Sequence, residues 1–206
     1  MLDNLRRSGS DVELLVATRN AGKLREIRDL LAGEGIAVYG LADFPDLPEV
    51  VEDGDTFQAN ALKKARQIAQ ATGKTTLADD SGLEVEALGG APGVYSARYA
   101  GDDADDAANN RKLLSELKGI DPENRRAAFC CAMALVTSHG EIHEVCGRVE
   151  GVVLEHNQGE GGFGYDPLFW LPDHQQSMAQ IPLHEKNRIS HRGQALSRML
   201  PILRRL

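Results

Sequence analysis

The chain has 206 residues, 42% of them hydrophobic and 26% charged, with a formal net charge of −8. That composition is ordinary for a globular protein and long enough for one well-cored domain. No run approaches the roughly 18 apolar residues a membrane span needs, no apolar signal-peptide core opens the chain, and the acidic balance opposes non-specific attraction to nucleic-acid phosphates. The expectation is a cytoplasmic protein without a membrane or nucleic-acid partner. Cys130, Cys131 and Cys146 have no C-x-x-C spacing, so they read as reduced thiols rather than a structural zinc site.

Residues 1–11 read as a polar tail and 12–206 as one domain. The apolar run Leu14-Leu15-Val16-Ala17 predicts a strand over 12–17. Leu24, Ile27, Leu30 and Leu31 recur at helical spacing and predict a helix over 23–32. A short strand over 37–41 follows, then a loop punctuated by Pro45 and Pro48. A helix over 57–72 carries the stripe Phe57, Ala61, Ala65, Ile68 and Ala69, and Gly73 ends it. Two separate short strands are expected, over 75–78 and 83–87, with Asp79-Asp80-Ser81-Gly82 between them. A helix over 105–118 stops at Gly119. Strands over 127–137 and 141–154 form a hairpin around Ser138-His139-Gly140. A strand edge over 168–171 and a last helix over 190–206, kinked or restarted at Pro201, complete the order. The fold class is α/β: a twisted mixed sheet flanked by helices, with the long hairpin as a candidate second lobe.

The acidic pair is the most informative segment. Two adjacent carboxylates disfavour joint ionisation, and a nearby cation removes that cost. Mg²⁺ suits the role because it takes oxygen ligands and arrives with substrate phosphates. The plain alternative is an acidic turn built from Asp-Ser-Gly. Between the first strand and helix lie Thr18, Arg19, Asn20, Ala21, Gly22 and Lys23. They bring backbone N–H groups, a hydroxyl, an amide and an ammonium to a helix N-terminus, which favours a phosphate. The spacing is not that of a Walker loop, and an ordinary strand-to-helix connection is the alternative. Both this loop and the acidic pair are expected at C-terminal strand ends, where open α/β sheets bind ligands.

Two later segments add to this. Gly159, Gly161, Gly162 and Gly164 allow close backbone approach, and Phe163 and Tyr165 offer faces on which a base can stack. The glycines are no dinucleotide fingerprint, since that motif opens a helix. Lys186, Arg188, His191 and Arg192 cluster near the start of the last helix, with Ser190 a candidate N-cap. Cations there oppose the helix dipole, so an anionic or polar group is expected to compensate them.

Together these segments resemble the inosine/xanthosine triphosphate pyrophosphatase family, from about Leu14 to the C-terminus. The resemblance rests on T-x-N-x-x-K (Thr18, Asn20, Lys23), N-A-x-x-K-A (Asn60, Ala61, Lys64, Ala65), A-D-D-S-G-L (78–83), G-G-A-P-G-x-Y-S-A-R-Y (89–99), G-G-F-G-Y-D-P (161–167) and K-x-x-I-S-H-R-G (186–193). Arg19 stands where a small residue is common, and Gly147-Arg148-Val149-Glu150-Gly151 lacks an aromatic common in that segment. The resemblance implies Mg²⁺-dependent hydrolysis of non-standard purine nucleoside triphosphates to monophosphate and pyrophosphate, by a homodimer. It implies Asp80 as proton acceptor, and Glu52 and Asp80 as metal ligands with Asp79 an outer or additional one. Lys23, Lys64 and Lys186 would meet the triphosphate, with Ser81 and the first loop. Phe163, Gly164, Tyr165, Asp166, His191 and Arg192 would select the base, and Lys186 would serve binding more than folding. A nucleotide-sensing module without catalysis, a nucleic-acid-binding protein using the 186–192 cluster, and a pyrophosphatase for other modified nucleotides are the alternatives.

Overall fold

The computed structural model describes residues 12–47 and 49–206. The expected tail over 1–11, and Pro48, lie outside them. A seven-stranded sheet runs in the order β2-β1-β3-β4-β5-β6-β7. Its strands are β1 (Val12–Val16), β2 (Ile36–Gly40), β3 (Thr76–Val85), β4 (Arg126–Val136), β5 (Ile142–Val153), β6 (Phe169–Leu171) and β7 (Gln176–Ser177). The helices are α1 (Ala21–Leu30), α2 (Phe57–Thr72), α3 (Asp106–Glu116), α4 (Leu183–Ile189) and α5 (His191–Leu203). β1 pairs parallel with β2 and β3, and the remaining pairings are antiparallel.

The two short strands expected on either side of the acidic pair are one strand. β3 pairs with β4 without interruption from Thr76↔Val136 to Val85↔Ala127, carrying Asp79 opposite Met133 and Asp80 opposite Ala132. The long-range ladder overrides the local signal of Asp-Asp-Ser-Gly, which in isolation favours a turn. On the other edge, β1 stops at Val16↔Leu77. The acids therefore lie mid-strand, just past the end of β1, and only the loop after β1 follows the expected strand-end rule.

Alternation along β3 and β4 separates two cores. Leu14, Val16, Leu77, Met133 and Leu135 pack with Ile27 of α1 and Leu196, Met199 and Leu203 of α5. Leu15, Ala78, Ala132 and Ala134 pack with Ala61, Ala65 and Ile68 of α2 on the opposite face. Each fully buried large side chain is worth about 1.5–3 kcal/mol. A third cluster, with Leu83, Val85, Phe129, Phe169, Leu113 and Leu117, sits at the distal end of the hairpin. The candidate second lobe is thus the far end of the same sheet with its own core.

α2 has the expected bounds because its end signals are local. Thr56 Oγ1 accepts from Ala59 N at 3.1 Å, and Gly73, with φ +66°, donates to Ala69 O at 2.8 Å. α5 does not restart at Pro201 but runs to Leu203. Proline so near the C-terminus disturbs only the final turn. Gly147 of β5 brings α5 to the sheet: a Cβ there would lie 2.0 Å from His191 O. That close approach fixes the depth of His191 and Arg192.

Candidate active site

A cleft of about 360 Å³ opens where β1 ends and β3 continues. Its walls include Thr18, Arg19, Asn20, Lys23, Glu52, Lys64, Asp80, Ser81, Phe163, Gly164, Tyr165, Asp166, Lys186, His191 and Arg192. Chain segments far apart in sequence therefore meet there. Ala21 and Gly22 stand outside the lining, in the first turn of α1. Asn20 caps that helix, its Oδ1 accepting from Lys23 N at 3.0 Å, and Thr18 Oγ1 accepts from Asn20 N at 3.2 Å. Gly22 leaves room for Phe163, whose ring a Cβ would meet at 2.7 Å.

The two acids of β3 point to opposite faces. Asp79 is fully buried. Its Oδ1 lies 2.6 Å from Lys23 Nζ, and its Oδ2 accepts from Arg192 Nε at 3.0 Å and from the Cys131 thiol at 2.9 Å. Burial pushes its pKa up, but Arg192 and Lys23 more than offset this and hold it well below the usual carboxylate range. Burial likewise opposes the charge on Lys23, and Asp79 wins, leaving its pKa raised. Arg192 also donates to Ser81 Oγ at 2.8 Å and to Glu26 Oε2 at 2.5 Å. Glu26 accepts from Lys186 at 2.7 Å, and Lys186 reaches Asp166 in turn. Burial works against the Glu26 charge, and Arg192 and Lys186 hold its pKa down. For Asp166 the balance reverses: burial outweighs Lys186 and raises the pKa.

Asp80 faces α2. Lys64 Nζ stands 3.5 Å from its Oδ1 and 2.9 Å from Glu52 Oε2, and donates to Asp79 O at 2.9 Å. Asp80 Oδ2 is buried without a hydrogen-bond partner among the described residues. Burial, with a contribution from Glu52, lifts the Asp80 pKa to about 6 against the pull of Lys64 and Lys23.

Toward the distal end, Phe163 is half-buried, with Lys186 Nζ 4.9 Å and the Arg192 guanidinium 5.6 Å from its ring centre. Tyr165 is buried in the distal core and donates its hydroxyl to Ser96 O at 2.8 Å. Phe163 is therefore the more accessible of the two rings. His191 stacks on Phe129, with centroids 4.8 Å apart, and its Nδ1 has no partner among the described residues. Burial, then Arg192, drive its pKa well below the usual value, so the imidazole is neutral.

Every one of the cations Lys23, Lys64, Lys186 and Arg192 already contacts a carboxylate. At these four positions an anion would meet paired charges, and a further cation lowers the cost of bringing it in. Glu52 and Asp80 have the donors for one: they converge on the Lys64 ammonium, and Asp80 Oδ2 is unspent. Two carboxylates with open positions fit Mg²⁺, which keeps waters and takes substrate phosphates. No group of three or more His, Cys, Asp or Glu side chains able to hold a metal occurs among the described residues.

The Ham1 family matches residues 14–202. The chain belongs to the Ham1 family. A dITP/XTP pyrophosphatase of Desulforamulus reducens is 52% identical over 195 residues, covering 95% of this chain and 97% of its own length. Another, of Geobacter sulfurreducens, is 55% identical over 184 residues, covering 89% and 92%. The structure of a HAM1 protein from Coxiella burnetii matches at TM-score 0.84 and 41% identity, covering 95% of this chain and 100% of that one.

Behind the lining of this Ham1-family cleft, Glu26 and Cys131 carry no signal in the sequence. Glu26 carries no local signal, because the apolar stripe of α1 explains the helix without it; Arg192 and Lys186, 166 and 160 residues away, reveal its role. Lys186, expected to serve binding more than folding, lines the cleft and is buried between Glu26 and Asp166. Removing it leaves Glu26 and Asp166 without their shared cation. The anion expected to compensate the 186–192 cations is largely internal: Asp79, Glu26 and Asp166. Those cations straddle two helices, and Ser190 ends α4 and caps α5, accepting from Gly193 N at 3.1 Å.

Proposed function

We propose that this chain is a dITP/XTP pyrophosphatase, hydrolysing non-standard purine nucleoside triphosphates between the α and β phosphates to a monophosphate and pyrophosphate and so cleansing the nucleotide pool. What carries the reading is the partly unsatisfied Asp80–Glu52–Lys64 cluster facing the capped N-terminus of α1 across one cleft. It is supported by relatives of that name aligned over nearly their whole length. Such a reaction is mainly positioning and charge neutralisation. In this reading the first turn of α1 and Lys23, Lys64 and Lys186 take the triphosphate, and Asp80 accepts a proton from the attacking water. Glu52 and Asp80 would hold Mg²⁺, which when bound polarises phosphate oxygens.

Phe163 stacks on the base, with His191, Arg192 and the backbone of 163–166 around it. A pocket whose donors meet the 6-oxo group of inosine or xanthosine sets donor against donor when adenine enters, which rejects by roughly 10⁴ or more. The protein would act in the cytoplasm as a homodimer of one domain from residue 12 onward, with no nucleic-acid partner. The net charge of −8 favours that last point, and no described helix is long and apolar enough to cross a membrane.

Product analysis with Mg²⁺ and dITP, XTP, dATP, dGTP and dTTP in parallel tests this. Monophosphate and pyrophosphate from dITP and XTP, with the other three nearly untouched, is the expected result. Orthophosphate release, or equal use of all five, overturns it. Binding without turnover favours a sensing module.

A further inference from the structure

The distal wall of the cleft is tied together by one face of α3. The helix start is already capped, since Asp105 Oδ1 accepts from Ala108 N at 2.7 Å. Asp106 is therefore available for another partner. Its Oδ2 accepts from Gly164 N at 2.7 Å, and Asn110 Nδ2 donates to Gly164 O at 3.0 Å. One helix thus takes both backbone polar groups of a single residue, held at φ +62°. Asn109 grips the opposite lip: its Nδ2 donates to Ala97 O at 3.1 Å, and its Oδ1 accepts from Ala100 N at 2.8 Å. Positions 106, 109 and 110 share a helix face at i, i+3 and i+4. Ala97, Asp106, Asn109 and Gly164 all line the cleft. The separation of its two distal lips is accordingly set by side chains one helical turn apart.

We propose that Asp106 and Asn110 are positioning residues for base discrimination. They lock the Gly164 peptide and thereby hold Phe163 and Asp166 at the base slot. This rests on the reading that 163–166 faces the base. The chemistry is one of withheld acceptors. A Gly164 carbonyl engaged by Asn110 has lost one of its hydrogen-bonding directions and cannot turn. Released, it offers an acceptor to the 6-amino group of adenine, the group the pocket must refuse.

The test compares Asp106→Ala, Asn110→Ala and Asp106→Asn with wild type, in steady-state turnover of dITP and dATP and in amide hydrogen exchange across 159–166. Each alanine variant is expected to lower kcat/KM for dITP about tenfold, chiefly through KM, and to lower the dITP-to-dATP preference about tenfold, the scale of one hydrogen bond. Exchange across the loop accelerates in both. Asp106→Asn keeps an acceptor for Gly164 N–H and stays within about threefold of wild type on every measure. Asp106 is exposed, so its alanine variant folds even if Asn110→Ala does not. Alanine variants with wild-type preference and wild-type loop exchange overturn the proposal, as does Asp106→Asn falling as far as Asp106→Ala. A wild-type protein without base preference sinks the functional reading instead, before any variant is made. The exchange measurement then still decides whether the clamp holds the loop.

Discussion

Asp79 lies between a guanidinium, an ammonium and a thiol, every oxygen engaged, while Asp80, one residue on, keeps a buried oxygen without a hydrogen-bond partner among the described residues. The strand's two-residue alternation sends one carboxylate toward α1 and α5 and the other toward α2. Burial opposes ionisation of both, but the charges around them differ. Arg192 and Lys23 hold the Asp79 pKa far down, whereas Lys64 and Lys23 leave that of Asp80 raised to about 6. The same residue type thus serves as a structural anion on one face and a poised, under-satisfied group on the other. Partnering separates the two roles, since both side chains are nearly inaccessible.

The comparison breaks if the two positions respond alike to substitution. The largest expected effect is on turnover: Asp80→Asn folds and loses roughly 10²–10⁴ in kcat, the usual range for a general base. Wild-type-like turnover in a folded variant removes its assigned role. Asp79→Ala is expected to act first on stability, costing about 3–5 kcal/mol in urea denaturation, because Arg192 and Lys23 lose a buried partner. A loss below about 1 kcal/mol means those cations reorganise freely, and Asp79 is not the anchor described.

Stability against pH, measured by thermal melting with a chelator present, sharpens the contrast through its sign. Asp79 has a depressed folded pKa, so its contribution is present above the unfolded value near 4 and is lost as pH falls. Asp80 has a raised one, so the unfolded state releases its proton first and wild type loses stability as pH rises from about 4 to about 6. Asp80→Asn is expected to gain melting temperature relative to wild type across that interval, and a constant difference contradicts the shift. The smallest effect belongs to Cys131→Ala, which removes one of several bonds to Asp79 and costs about 1 kcal/mol, with Cys131→Ser recovering most of it. An equal loss in both variants traces the effect to packing rather than to the thiol donor.

Legibility in the sequence followed the range of the interactions. α2 was readable to the residue because Thr56 and Gly73 signal its ends locally. The hairpin was readable from two apolar runs about one turn, with bounds shifted by a single residue at each end. β3 reads locally as two strands because its continuity comes from ten residues of pairing with β4, across a sequence gap that no local window spans. α4 has no separate signature because Ser190 closes one helix and opens the next, so the two blur into a single polar stretch. The residues gathered at the cleft were mostly legible, since loop, acid pair and glycine segment each carry unusual local chemistry. Their partners were not: Glu26 and Cys131 sit in patterns that a plain helix and a plain strand already explain.

The Arg192 guanidinium joins α5 to Glu26 and Asp79, across 166 and 113 residues of chain. During synthesis every element before α5 emerges with those two acids still lacking their strongest partner. Contacts of such span close late, since their loop entropy is met only after local structure forms. A nascent chain that has made the loop over 18–23 and the acidic pair is therefore still without a settled cleft. Competence for nucleotides arrives with the final helix rather than accruing as the polypeptide grows, so fragments released early from the ribosome would be inert toward the pool this enzyme polices.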